Sequence, residues 1–139
     1  MAATVFLVED QTLMRESMHA YLNAEEDLEV IGVAEDAETA LDALGDLDAD
    51  LVLVDVSLPG MSGIDLLREL REYMPTSRCL MLSGHAEQSY IEAAKQAGAR
   101  GYVMKGNPRE YLDAIRAILG GDTYRSDTVG SMWDNASVA

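Results

Sequence analysis

The chain has 139 residues, 48% of them hydrophobic and 25% charged, a balance that suits one soluble globular domain with its own core. Its 10 basic and 25 acidic residues give a formal charge of −15, which argues against nucleic-acid binding by this domain alone, because phosphate contacts need Lys and Arg. No apolar run approaches the length of a membrane span, and a single cysteine excludes an internal disulfide.

The amino terminus, MAATVFLVED, has no basic n-region and enters a strand at residues 4–8. It does not read as a signal peptide, and a cytoplasmic protein is expected. Leu13, Met14, Met18, Tyr21 and Leu22 mark a first helix. A second strand is predicted at residues 30–34, followed by Glu35 and Asp36, which read as the start of a second helix. That helix carries Ala37, Ala40, Leu41 and Leu44 at i, i+3, i+4 and i+7. The run LVLV at 51–54 is a third strand that ends directly on Asp55, with a Pro-Gly turn soon after.

Ile64, Leu67, Leu70 and Met74 place a third helix, which Pro75 stops. A fourth strand at 79–82 begins with Cys79, read as a small core residue. Ile91, Ala94 and Ala97 give a weaker fourth helix before Gly98. After a fifth strand at 102–104, Asn107-Pro108 supplies an N-cap and a first-turn proline, with Glu110 spaced for a capping box. Tyr111, Leu112, Ile115, Ile118 and Leu119 form the cleanest stripe, closed by Gly120-Gly121.

The apolar strand runs are continuous rather than alternating, as expected of strands buried on both faces. Five strands alternating with five helices predict an α/β fold with a parallel sheet and helices on both faces. The domain is expected to occupy residues 1–121. Residues 122–139 are polar and carry the single Trp. They read as a mobile end, a docking segment or the start of a truncated linker.

In open α/β sheets, ligands bind beyond the carboxyl ends of the strands. The first polar residues after four of the five runs are Glu9 and Asp10, Asp55, Ser83, and Lys105. Each alone has an ordinary reading: a helix cap, a turn residue, another cap, a solvated lysine. Together they make coherent chemistry. Three neighbouring carboxylates need a cation, and Mg²⁺ suits an all-oxygen site. A carboxylate left partly free can act as a nucleophile and form an aspartyl phosphate. Lys105, the Ser83 hydroxyl and nearby N–H groups would then hold the phosphoryl oxygens.

This set, with LPGMSGIDLL after Asp55, resembles the receiver domain of two-component response regulators. The likeness covers about residues 3–121. The segment GARGYVMKGNPREYLDAIRAILGG is similar, more narrowly, to the NarL/FixJ subfamily, whose members usually carry a LuxR-type helix-turn-helix after the receiver. The 18 residues after Gly121 are too few for such a domain. The resemblance implies a flavodoxin-like (βα)5 doubly wound sheet with strand order 2-1-3-4-5.

It further implies that Asp55 is the phosphoacceptor, served by a sensor histidine kinase, a phosphotransfer protein or a small donor such as acetyl phosphate. Glu9, Asp10, Asp55 and the backbone carbonyl of Ser57 would hold Mg²⁺ or Mn²⁺. Ser83 would be the switch hydroxyl, Tyr102 the switch aromatic and Lys105 a bridge between the phosphoryl group and an acid. Ser57 and His85 would flank the hydrolytic water and tune the lifetime of the acyl phosphate. His19, by contrast, reads as a surface or packing residue. Members often have a cis proline after the lysine. Gly106 stands there, so a trans peptide or an altered loop is expected.

The function so implied is a phosphorylation-dependent switch, not an enzyme beyond its own Mg-dependent phosphorylation and dephosphorylation. It would form a homodimer on phosphorylation and control transcription through a DNA-binding domain absent from this chain. The alternatives are a stand-alone receiver or a phosphorylation-independent interaction module. A phosphatase with an aspartate nucleophile is disfavoured by Ser57, where such enzymes place a second Asp.

Overall fold

Strand residues in this molecule point alternately to two cores, which is why their apolar runs are continuous. Phe6, Val8, Val52, Val54, Cys79, Met81 and Tyr102 pack on one side. Val5, Leu7, Leu51, Leu53, Leu80, Leu82 and Val103 pack on the other. The computed structural model describes residues 2–136. The elements in order are β1 (Ala3–Val8), α1 (Thr12–Asn23), β2 (Leu28–Ala34), α2 (Ala37–Leu44), β3 (Leu51–Asp55), α3 (Gly63–Tyr73), β4 (Arg78–Ser83), α4 (Gln88–Gln96), β5 (Gly101–Met104), α5 (Pro108–Leu119), β6 (Tyr124–Arg125) and α6 (Gly130–Asp134).

The sheet runs β2-β1-β3-β4-β5-β6, and every pairing is parallel. The expected order holds, with one strand added at the β5 edge. Helices α1 and α5 cover one face through Met18, Leu22, Leu112, Ile115 and Ile118. Helices α2, α3 and α4 cover the other through Ala37, Leu44, Leu67, Leu70 and Ile91. The chain turns one way from β1 to β2 and the other way to β3. The ends of β1 and β3 therefore flank the switch point where such sheets bind ligands.

The local signals mostly hold. Asp36 caps α2 by accepting the Thr39 N–H at 2.7 Å. Helix α3 ends at Tyr73, ahead of Pro75, and Gly98 and Gly121 adopt positive φ of 98° and 100°. Cys79 is buried, and burial alone pushes its thiol pKa up to about 12.

Three details differ from expectation. Strand β2 lies at the sheet edge, so Glu29 and Val33 are exposed. On α1, Leu13 is 77% exposed and Tyr21 39%, so the inward face is carried by Met18 and Leu22, with half-buried Met14 packed beside them. The capping box at α5 does not form. Asn107 sits at the N-cap without a side-chain hydrogen bond. Glu110 turns away to accept hydrogen bonds from Tyr124 Oη and Ser126 Oγ.

The polar tail, of which residues 137–139 lie outside the described part, packs onto the domain, as its reading as a docking segment allowed. Two residues of it join the sheet beside β5. Val129, Trp133 and Ala136 are buried, the first two in the α2–α3–α4 core. Lys95 of α4 donates to the Trp133 carbonyl at 2.6 Å, and its ammonium lies 5.4 Å from the indole centroid. Arg125 clamps Asp134 with two hydrogen bonds of 3.2 and 3.1 Å.

Candidate functional site

β1 carries the chain to Glu9, which is fully buried, and to exposed Asp10. β3 ends on Asp55, 2% exposed. Each of the three offers an oxygen within 4.8 Å of the others. The residue after β5 is Lys105. Its Nζ donates to Asp55 Oδ2 at 2.7 Å and stands 2.9 Å from Glu9 Oε1. The second contact is an ion pair outside hydrogen-bond geometry, so Glu9 Oε1 is buried without a hydrogen-bond donor. The other oxygens are engaged. Gln11 N–H donates to Glu9 Oε2 at 3.0 Å, and Ser57 N–H donates to Asp55 Oδ1 at 2.9 Å.

Two residues that sequence reasoning missed shape this rim. Arg15 Nη1 donates to the backbone carbonyls of Glu9 at 2.9 Å and Asp10 at 3.4 Å, bracing the β1–α1 loop. Gly63, the first residue of α3, comes so close to β3 that a Cβ there would lie 2.1 Å from the Asp55 carbonyl oxygen. Only glycine permits that approach. A glycine at the start of a helix, directly after its Ser62 cap, was the available signal.

The electrostatics follow from three carboxylates and one close ammonium. Asp10 has its pKa raised, first by burial and then by the hydrogen bond and charge of Glu9, with Lys105 opposing. For Lys105, burial disfavours the charge, but its short contacts with the Asp55 and Glu9 carboxylates outweigh it and raise the pKa. The lysine therefore stays charged, and the rim keeps surplus negative charge, with Glu9 Oε1 held only by its ion pair to Lys105. A hard divalent cation with oxygen ligands fits that donor set.

The remaining predicted residues stand around this centre. The Ser83 hydroxyl, 3% exposed, donates to the His85 carbonyl at 2.8 Å and accepts the His85 N–H at 3.1 Å. The Tyr102 side chain is fully buried, and its hydroxyl is 3.5 Å from the His85 carbonyl, at the outer limit of a hydrogen bond. Burial raises its pKa. The hydroxyls of Ser83 and Tyr102 thus engage the β4–α4 loop and not the carboxylates. Ser57 and His85 are exposed on either side. The Lys105–Gly106 peptide is trans, and Gly106 takes a φ of 122°, a conformation that glycine adopts readily.

Residues 5–116 match the family model described as the response regulator receiver domain. The chain belongs to that family. Among curated relatives, this receiver is 34% identical over 126 residues to the transcriptional regulatory protein MctR of Rhizobium johnstonii. It is 36% identical over 126 residues to the nitrate/nitrite response regulator protein NarP of Escherichia coli. In both cases the match covers 90% of this chain and 59% of the relative, so the receiver spans about three fifths of the length of these proteins. A LuxR-family two-component response regulator from an Aurantimonas species shares its fold, with a TM-score of 0.90, 29% identity and 97% of each chain covered. Among the described residues, no helix is long and apolar enough to cross a membrane.

Proposed function

We propose that Asp55 accepts a phosphoryl group and that the receiver changes conformation as a result. The carrying observation is the buried Asp55 carboxylate, held by Lys105 at 2.7 Å beside a Glu9 oxygen that lacks a donor. Such a carboxylate is oriented, desolvated and close to a cation, which is what an in-line attack on phosphorus requires. One Asp55 oxygen forms a bond to phosphorus as the donor's P–N or P–O bond breaks, and the electron pair leaves with the donor. The donor is a sensor histidine kinase, a phosphotransfer protein or acetyl phosphate.

Glu9, Asp10, Asp55 and the Ser57 carbonyl would hold magnesium or manganese, which would neutralise charge on the phosphoryl oxygens. Lys105 then exchanges its Asp55 contact for a phosphoryl oxygen. The Ser83 hydroxyl leaves the His85 carbonyl to donate to another. That movement frees the space next to the Tyr102 hydroxyl and biases a two-state element at β4 and β5. His85 and Ser57 flank the approach of the hydrolytic water and set how long the acyl phosphate lasts.

The relatives' roles as a transcriptional regulatory protein and a response regulator support transcription as the output, and the pathway is taken to be cytoplasmic. Pairing of two receivers on phosphorylation through a face that includes α1 is supported by exposed Leu13 and Tyr21. An apolar groove lined by Met14, Tyr21, Pro108 and Tyr111 adjoins them, next to Lys105.

The test is intact mass after incubation with acetyl phosphate, with and without Mg²⁺. One phosphoryl adduct that needs Mg²⁺ and is absent from Asp55→Asn is expected. No adduct on the wild type would overturn the reading in favour of an interaction module indifferent to phosphorylation.

A further inference from the structure

We infer that Ser126, acting with Glu110, is a positioning residue for Lys105, so that the docked tail is part of the phosphorylation machinery. This rests on the reading of Asp55 as phosphoacceptor. The outer edge of β5 would expose unpaired backbone groups if the sheet stopped there. β6 closes it. The Tyr124 N–H donates to the Arg100 carbonyl at 3.1 Å, and the Ser126 N–H donates to the Tyr102 carbonyl at 3.1 Å. β6 is only two residues long, and past it the ladder is continued by a side chain. The Met104 N–H donates to Ser126 Oγ at 3.0 Å. A hydroxyl thus replaces a backbone carbonyl on the last rung, one residue before Lys105.

That hydroxyl is itself fixed. Ser126 is 3% exposed, and its Oγ–H donates to Glu110 Oε1 at 2.7 Å. The other Glu110 oxygen accepts from Tyr124 Oη at 3.0 Å. A charged acceptor shortens and strengthens such a bond, and it dictates which way the hydroxyl's lone pairs face. On its inner side the same stretch pairs with β4, Met81, Leu82 and Ser83 lying opposite Tyr102, Val103 and Met104, and the Lys105 N–H donates to the Ser83 carbonyl at 2.8 Å. The backbone that aims the Lys105 side chain at Asp55 is therefore gripped from both sides, by β4 and by the tail. The tail's grip also reaches the carbonyl of Tyr102.

When Lys105 moves from Asp55 to a phosphoryl oxygen, the segment from Tyr102 to Lys105 is the backbone that must adjust. Coupling between two equilibria acts in both directions, and a less well aimed Lys105 also lowers the rate at which Asp55 is phosphorylated. A loosened tail should slow phosphorylation, and phosphorylation should alter protection of the tail. The burial of Trp133 against α4 gives the tail the anchorage to act as a fixed support.

The experiment compares Ser126→Ala, Ser126→Thr and Glu110→Gln in the full chain. The readouts are the rate of phosphorylation by acetyl phosphate with Mg²⁺ and amide exchange at Met104. Loss of one hydrogen bond predicts a rate about two- to tenfold lower for Ser126→Ala, with faster exchange at Met104. Ser126→Thr keeps the hydroxyl and should restore both, which a purely packing role would not. Glu110→Gln should fall between. A Ser126→Ala rate equal to wild type would overturn the inference while leaving Asp55 as acceptor. Equal defects in the Ala and Thr variants would also overturn it, because the hydroxyl would not matter. No adduct even on the wild type would be a failure of the underlying reading, and this inference would fall with it.

Discussion

The carboxyl rim and the β5 edge of one sheet achieve order in opposite ways. At the rim, the strands supply apolar rods and the chemistry hangs from their ends. Asp55, Glu9 and Lys105 are held by charge at 2.7 and 2.9 Å, with one oxygen left over. At the edge, a two-residue strand has almost no apolar content. It is held by Trp133, a few backbone rungs and the Ser126–Glu110–Tyr124 network, with every named oxygen in that network paired. The rim is left electrostatically incomplete, which suits a ligand. The edge is complete, which suits a support.

That contrast is broken most severely by removing the support. Trp133→Ala should cost about 3–5 kcal/mol, the usual range for a buried tryptophan, as measured by urea unfolding. Acetyl phosphate should still label Asp55 in that variant, but more slowly than in the wild type, because the tail that steadies the backbone before Lys105 has lost its anchor. The incompleteness of the rim predicts that Mg²⁺ stabilises the wild type, by about 2.7 kcal/mol at a hundredfold excess over its dissociation constant. A thermal-shift titration checks this, and Asp10→Asn should abolish most of the gain.

Gly63→Ala should cost about 1–3 kcal/mol by forcing β3 and α3 apart. It should also weaken Mg²⁺ binding, because the displaced atom is the carbonyl of Asp55 itself. A Gly63→Ala protein with unchanged Mg²⁺ affinity would mean that the rim tolerates movement of its own strand.

The smallest effect sharpens the edge. Burial first, then the hydrogen bond to Glu110, pushes the Tyr124 phenol up to about 12. The folded state thus favours the neutral phenol. This contribution is intact below the ordinary phenol pKa of about 10 and is lost as pH rises from there through 12. An absorbance titration of wild type against Tyr124→Phe should lose a late-titrating phenol, and Glu110→Gln should make that phenol titrate earlier.

The rim was legible in the sequence because strand ends obey a simple rule. A parallel strand is buried on both faces, so its first polar residue must emerge at the rim, and Glu9, Asp55 and Lys105 from three such strands meet there, while Ser83 turns to the β4–α4 loop. The central strands were legible for the same reason, since continuous apolar runs have few other uses. The edge was not legible. β6 is too short to have a period, and Ser126 gains its role only from lying opposite Met104. Glu110 was misread because its spacing from Asn107 fits a capping box, whereas two hydroxyl donors from the tail outcompete the cap. The exposure of Leu13 and Tyr21 likewise could not be read from α1 alone, because helical spacing does not say how wide the covering neighbour is. The Lys105–Glu9 contact, an ion pair without a hydrogen bond, depends on side-chain geometry that no sequence pattern encodes.

The most direct measurement is to trap the acyl phosphate. The receiver is incubated with acetyl phosphate and Mg²⁺, reduced with borohydride and sequenced by tandem mass spectrometry. Asp55 should be converted to homoserine, with Glu9 and Asp10 left intact and the signal lost when Mg²⁺ is withheld. Homoserine at another position, or unmodified Asp55 in a protein that still carries phosphoryl mass, would contradict the assignment of the rim.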